Sequence, residues 1–243
     1  MHPIPAAVLD DLAPQGVLRA AINLGNPVLA QTGPDGEPQG VSVVLASALA
    51  HELGVALELV TYDAAGKVFA ALATAAWNVA FMAIEPVRAE QIAFSAPYVI
   101  IEGTYLLAQT SPWQQVAELD RPGVRIAVGK GAAYDLYLSR TLKHAQLVRA
   151  ETSAEAITLF LEQGLDAAAG VRQPLLAAAA ANPNYRVLAG HFTAIHQAMA
   201  VPREKTAGAA YVREFVERCK ANGLVQQALQ RSGQGDVTLA PSA

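Results

Sequence analysis

The sequence predicts an α/β protein of two lobes, with the second lobe inserted into the first. Three observations carry this. Short apolar runs alternate with stretches of helical periodicity along the chain. A polar break, Gln109-Thr110-Ser111-Pro112, is followed by a second series of the same alternation. A late apolar run, Ala198 to Val201, then returns the chain to the first series. A chain of 243 residues is long enough to bury the core of each lobe.

The elements follow in order. Leu18 to Ile22 reads as a strand that ends in the loop Asn23-Leu24-Gly25-Asn26-Pro27. Thr32-Gly33-Pro34-Asp35-Gly36 reads as a hairpin tip. Val41 to Leu53 has helical spacing and is stopped by Gly54, where a left-handed residue is wanted. Leu57 to Tyr62 is a strand. Val68, Phe69, Ala71, Leu72 and Ala75 form a helical face, and the uncharged run from Val79 follows as a strand. This βαβαβ order implies a mostly parallel sheet with right-handed crossovers. Tyr105 to Ala108 is a further strand before the polar break.

The second series opens with the strand Arg125 to Val128 and the turn Gly129-Lys130-Gly131-Ala132-Ala133, leading into a helix from Tyr134 to Leu142. Leu147 to Arg149 is a short strand. Thr152-Ser153-Ala154-Glu155 is a capping box opening a helix that ends near Gly164. The strand Asp166 to Ala169, the Ala-rich helix Gln173 to Ala181 and the strand Tyr185 to Leu188 complete it. Two helices split by Asn222-Gly223 finish the chain, and the polar tail from Gly233 is expected to be loose. The boundaries that follow are 12–107 plus 197–243 for the first lobe and 108–196 for the second. A cleft between the lobes is the expected ligand site.

Composition narrows the function. Charged residues make up 16% of the chain and the formal charge is −4, with no basic run, so a nucleic-acid partner is not expected. One cysteine, Cys219, sits in a helical pattern as a small core residue and cannot form a disulfide within the chain. The five His are dispersed, so neither a metal nor a cofactor is expected. No stretch reaches the ~18 apolar residues of a membrane span, and Met1-His2-Pro3-Ile4-Pro5 lacks the pattern of a secretory leader. A monomer is expected.

The most informative segment is Asn78 to Tyr98. A buried strand turns at Pro86 and places Arg88 just past the turn, where a guanidinium can hold a carboxylate with two parallel hydrogen bonds. The plain alternative is an Arg that is solvated or paired with Glu85 or Glu90.

Several stretches together resemble one family. Gly16-Val17-Leu18-Arg19, the helix Gly40 to Ala50 followed by Leu53-Gly54, Arg88-Ala89-Glu90-Gln91-Ile92-Ala93-Phe94-Ser95-Ala96-Pro97-Tyr98, Val124 to Val128 then Gly131, and Gly164-Leu165-Asp166-Ala167-Ala168 occur in the order seen in bacterial extracellular solute-binding proteins of the amino-acid cluster. These are the soluble receptors of ABC importers. The resemblance runs from Gly16 to about Ser232. It implies the type II periplasmic-binding-protein architecture, a periplasmic place of work, an ABC permease as partner, and Arg88 as the group that grips a ligand's α-carboxylate. The absence of a leader pattern here leaves both a trimmed mature form and a cytoplasmic relative open.

The departures from that family bear on the ligand. The Ser or Thr beside the turn to the Arg is replaced by Met82-Ala83-Ile84-Glu85, and the Thr after the glycine corresponding to Gly131 is Ala132. Backbone N–H groups at Gly131, Ala132 and Ala133 can still receive an anion. The family's Asp for the ligand's ammonium is Val171 here, followed by Arg172 and Gln173, and Asn23 stands where a second acid is common. An ammonium placed there would be desolvated and unpaired. The expected ligand is therefore a small carboxylate-bearing solute and not a standard α-amino acid. Arg88 holds it, with Arg172 and Lys130 as further cations, Asn23, Asn26, Gln173 and Gln197 as neutral partners, and Met82 and Ala83 at the turn. Arg172 has a solvated alternative. Phe81, Tyr98 and Tyr134 are candidates for an apolar wall or for the core.

The competing class is an enzyme. Some relatives act as cyclohexadienyl dehydratases with a cleft carboxylic acid as general acid, and here Glu102 is the first candidate for that role, with Glu85 second. A ligand-reading sensor module of the same fold is a third class.

Overall fold

The structure, a computed structural model, describes residues 3–243. In chain order the elements are α1 (Ala6–Leu12), β1 (Val17–Asn23), β2 (Gln31–Thr32), β3 (Pro38–Gln39), α2 (Val41–Leu53), β4 (Ala56–Tyr62), α3 (Ala65–Ala70) with a 3₁₀ turn over Ala71–Thr74, β5 (Val79–Ala83) and α4 (Pro86–Ala89). Then come β6 (Ile92–Ala108), β7 (Arg125–Gly129), α5 (Ala133–Thr141), β8 (Gln146–Ala150), α6 (Ser153–Gln163), β9 (Ala167–Val171), α7 (Arg172–Ala181) and β10 (Tyr185–Val187). β11 (Thr193–Pro202), α8 (Thr206–Ala221), α9 (Leu224–Arg231) and β12 (Thr238–Leu239) complete the chain. Two compact units result. Among the described residues the first holds 3–100 and 196–243, and the second, residues 101–195, is inserted into it.

In the first unit β4, β1 and β5 are parallel, with Leu18 opposite Leu57 and Ala20 opposite Val79. β11 joins β5 antiparallel, with Gln197 opposite Ala83 and Ala200 opposite Ala80. One face of this sheet packs Val68, Trp77, Ala80, Met82, Ile92 and Ala200 into a core, and the Trp77 indole N–H donates to Val68 O at 2.9 Å. α2 buries the stripe Val41, Leu45, Leu49 and Leu53 against β1 and α9, and ends at Gly54 in the left-handed region (φ 70°), as its sequence predicts. Cys219 is a buried residue of α8 whose thiol burial pushes up to about 11, as befits a core position.

In the second unit β7 is parallel to β8 and β9, while β9 and β10 both run antiparallel to β6. Leu106, Ala127, Phe160, Leu165, Ala168 and Leu175 form its core, and the Phe160 and Tyr185 rings meet edge to face at 5.3 Å. The capping box read from the sequence is present: Thr152 Oγ1 accepts from Glu155 N, and the Glu155 carboxylate accepts from Thr152 N, both at 3.1 Å.

Four expectations change. The sheets are mixed rather than mostly parallel, because β11 pairs antiparallel with β5, and β9 pairs antiparallel with β6. β6 is continuous over 17 residues, where only its last stretch reads as a strand. Pro97 and Gly103 interrupt the apolar pattern, but strand pairing on either side of them maintains the extended chain. This also moves the unit boundary earlier, to 100/101, from the break expected after Leu107. α1 was not legible, since no cap marks it. The tail is not loose: β12 pairs with Val99 and Ile100, Ala240 N donates to Tyr98 O, and Val237 and Ala240 are buried. The buried Lys220 ammonium holds it, donating to Pro97 O at 3.2 Å and Pro241 O at 2.8 Å, with Glu217 at 2.6 Å.

The loop after α5 is organised by Asp120. Its carboxylate accepts from the amides of Lys143, His144 and Ala145 at 2.7 to 3.1 Å. Partial burial opposes the charge, but these amides outweigh it and hold the carboxyl below its ordinary range. A carboxyl depressed in the folded state stabilises the fold above its unfolded value, about 3.9, and loses that contribution as pH falls through the folded value. Asp120→Asn is therefore expected to lower the urea midpoint at pH 7, with the gap to the parent narrowing below about pH 4. A gap that is constant or widens toward acid would refute the assignment.

Candidate functional site

In the first unit the site begins where β5 ends. All five residues of β5 are buried, so the strand carries its last carbonyl, Ala83 O, into the interior. Ile84 N donates to His196 O at 2.9 Å and closes the ladder to β11. Glu85 then caps α4 in extended conformation, and Pro86 takes the first helical position, where its missing N–H is no loss. This puts Arg88 one turn further on and folds it back. It is 1% exposed, and its Nη1 donates to Ala83 O at 3.0 Å. Burial pulls the guanidinium down to about 10, while the neighbouring Glu85 carboxylate acts the other way. The group stays a cation at neutral pH.

Three neutral side chains complete the expected set: Asn23 ends β1, Asn26 lies in the loop after it, and Gln197 lies within β11 opposite Ala83. Asn23 closes β1 and its Oδ1 accepts from Gly25 N at 3.0 Å; Asn26 Oδ1 accepts from Val28 N at 3.3 Å. Both amide oxygens thus shape the loop, leaving the NH₂ ends for other partners. Gln197 is 4% exposed, and its Oε1 is buried without a hydrogen-bond partner.

In the second unit the turn before α5 is closed on itself. Gly131 N donates to Asp135 Oδ2 at 2.8 Å and Ala132 N to Gly129 O at 3.1 Å. Asp135 is buried in the first turn of α5 and paired with Arg149 at 3.0 Å. On β6, Glu102 forms a separate cluster. Arg172 Nε donates to Glu102 Oε2 at 2.5 Å and Arg172 Nη2 to Gly190 O at 2.5 Å, while His191 Nδ1 lies 3.1 Å from Glu102 Oε1. Register explains the meeting: Gly103 lies opposite Val171, which sets Glu102 and Arg172 next to each other across the ladder.

A family model for bacterial extracellular solute-binding proteins, family 3, matches residues 18–234. The chain belongs to that family. Among curated proteins, none matches this chain by sequence. Solved structures share its fold, the two-lobe type II fold of periplasmic binding proteins. The cysteine-binding protein from Campylobacter jejuni is 18% identical with a TM-score of 0.82, covering 96% of this chain and 99% of that one. A Streptococcus pneumoniae amino acid ABC transporter substrate-binding protein bound to L-arginine is 22% identical with a TM-score of 0.78, covering 97% and 100%. An ancestral amino acid-binding protein, described as a precursor of cyclohexadienyl dehydratase, is 24% identical with a TM-score of 0.77, covering 92% and 98%.

Within this family 3 chain the expected site residues divide. Arg88, Ala83 and Gln197 are brought together at the end of β5, and Asn23 and Asn26 shape the loop after β1. Met82 does not join them: alternation along β5 turns its side chain into the core with Trp77. Phe81 and Tyr98 are core aromatics in edge-to-face contact at 6.3 Å. The Tyr134 hydroxyl donates to Ser153 Oγ at 2.8 Å and is likewise interior.

Gly131 and Ala132 engage their amides within the turn, and the Asp135 carboxylate already occupies this helix start, so an added anion would meet like charge. Ala133 opens α5 directly behind them, beside the same carboxylate. Lys130 is exposed, 3.6 Å from Glu151. Arg172 is tied to Glu102 and Gly190, and Gln173 beside it has a buried Oε1 without a partner. The Glu102–Arg172–His191 cluster was missed because its members are distant in sequence: β6–β9 register brings Arg172 to Glu102, and the bond from Phe192 N to Gly103 O brings His191. The Gly131–Asp135 contact had a weak signal, an Asp four positions on in a first helical turn. Among the described residues, no cluster of His, Cys, Asp and Glu could hold a metal, and no helix is long and apolar enough to cross a membrane.

Proposed function

We propose that this chain binds a small carboxylate-bearing solute, other than a standard α-amino acid, without chemical conversion, and delivers it to an ABC permease in the periplasm. The observation that carries the reading is Arg88, a buried cation delivered to the end of β5 by a proline-led turn. Family membership supports solute binding and delivery. The finer statement about the ligand rests on charge. Asn23 and Val171 are neutral, whereas an α-ammonium desolvated in a site needs a carboxylate close by. Asn23, Asn26 and Gln197 supply neutral partners in this reading, and Arg172 serves to hold the Gly190 segment to β6.

The general-acid role considered for Glu102 is disfavoured by its contacts. Its Oε2 accepts from Arg172 Nε, and Arg172 in turn donates to Gly190 O, so the carboxylate is engaged in holding that segment. Its side chain is also 41% exposed rather than enclosed. Glu85 is buried beside Arg88 and is read as that cation's companion.

Isothermal titration with the twenty standard amino acids and a panel of mono- and dicarboxylates tests the proposal. Carboxylates are expected to bind, and prephenate and arogenate to be recovered unchanged. Tight binding of a standard α-amino acid with no carboxylate response, or turnover of either dehydratase substrate, would sink it.

A further inference from the structure

We propose that Gln197 is a specificity-determining residue of the Arg88 site, and that the solute carries a neutral hydrogen-bond donor, such as a hydroxyl, close to its carboxylate. This rests on the carboxylate reading and narrows it. Gln197 is an amide placed inside a sheet, 4% exposed, in a run of β11 that is otherwise Ala, Met, Ala and Val. Its Oε1 is buried and accepts nothing. Folded proteins rarely leave such an oxygen unmet, because its desolvation costs about 1–3 kcal/mol unless a donor arrives.

The place of this amide relates it to Arg88. Gln197 lies directly opposite Ala83 in the antiparallel ladder, so both side chains leave the sheet on one face, as do Phe81 and Met199 one step back. Ala83 O is the acceptor that fixes the Arg88 guanidinium, and the next ladder bond runs from Ile84 N to His196 O, beside Gln197. A carboxylate is an acceptor only and suits the guanidinium, but it offers nothing to an amide oxygen. A solute that satisfies both groups has a donor next to its carboxylate. That donor is neutral in this proposal because the amide brings no charge to balance an ammonium.

The test is titration calorimetry with matched sets that differ only at carbon 2: L-lactate, pyruvate and L-alanine, and the hydroxy, oxo and amino acids of the leucine skeleton. The hydroxy acid is expected to bind at least about tenfold tighter than its oxo partner, and this preference should fall to about onefold in Gln197→Met. In Gln197→Glu, which keeps the shape and leaves only acceptors, both acids should weaken but the preference should remain. Equal binding of hydroxy and oxo acids overturns the inference and leaves the carboxylate reading standing. The same holds for a preference that survives Gln197→Met or vanishes in Gln197→Glu. Tightest binding of the amino acid overturns both, as does a failure of all these acids and of the wider carboxylate panel to bind.

Discussion

Arg88→Met is expected to weaken carboxylate binding by at least about 100-fold while the protein still folds. Loss of a buried, hydrogen-bonded charge from one side of an ion pair typically costs 2–5 kcal/mol, roughly 30-fold to several thousand-fold in affinity. The guanidinium is well placed for this. It is 1% exposed, anchored through Nη1 on Ala83 O, and its lowering to about 10 reflects burial that disfavours its charge. An incoming carboxylate offsets that burial, with Glu85 already offsetting part. Methionine keeps the length and apolar bulk of the side chain. Arg88→Lys should recover only part of the affinity, since an ammonium cannot present two parallel donors. Calorimetry on folded variants, checked by circular dichroism, decides the matter. Affinity within threefold of the parent in Arg88→Met would show that Arg88 is structural.

The second large effect is on stability. Gly25→Ala is expected to destabilise the first unit by about 3 kcal/mol, a fall in melting temperature of roughly 6–12 °C. A Cβ at Gly25 would lie 2.1 Å from Asp63 O and 2.9 Å from Asp63 C, both backbone atoms with no rotamer to change. The loop cannot simply lift away. Leu24 N is bonded to Tyr62 O at 2.8 Å, and Gly25 N to Asn23 Oδ1 at 3.0 Å. Relief therefore requires breaking the end of the β1–β4 pairing or releasing Asn23, so solute binding should weaken as well. An unchanged melting temperature by calorimetry would contradict this close approach.

Local patterns foretold much of the first unit. Val41 to Leu53 was legible as a helix to the residue, because a buried stripe and a left-handed glycine stop are both local signals. The Thr152–Glu155 capping box was legible for the same reason. The approach of β5 to a proline turn and Arg88 also lies within one short stretch, so the position of the cation could be read directly. β6 shows the limit. Pro97 and Gly103 break its pattern, and its pairing with β11, β12, β9 and β10 makes it one strand. The tail from Gly233 reads as polar and loose, yet Lys220 and β12 fasten it.

The amino-acid sequence by itself determined the alternating α/β order, the family, the presence of a cation just past the proline turn after β5 and the neutrality of positions 23 and 171. These are properties of composition and near-neighbour spacing. Only the tertiary structure decided what each polar group meets. It tied Arg172 to Glu102, filled the α5 terminus with Asp135, turned Met82 into the core, and left the oxygen of Gln197 unmet beside Ala83. The physical reason is that hydrogen bonds and ion pairs are settled over a few ångströms in space, and strand register brings together residues that no sequence window contains.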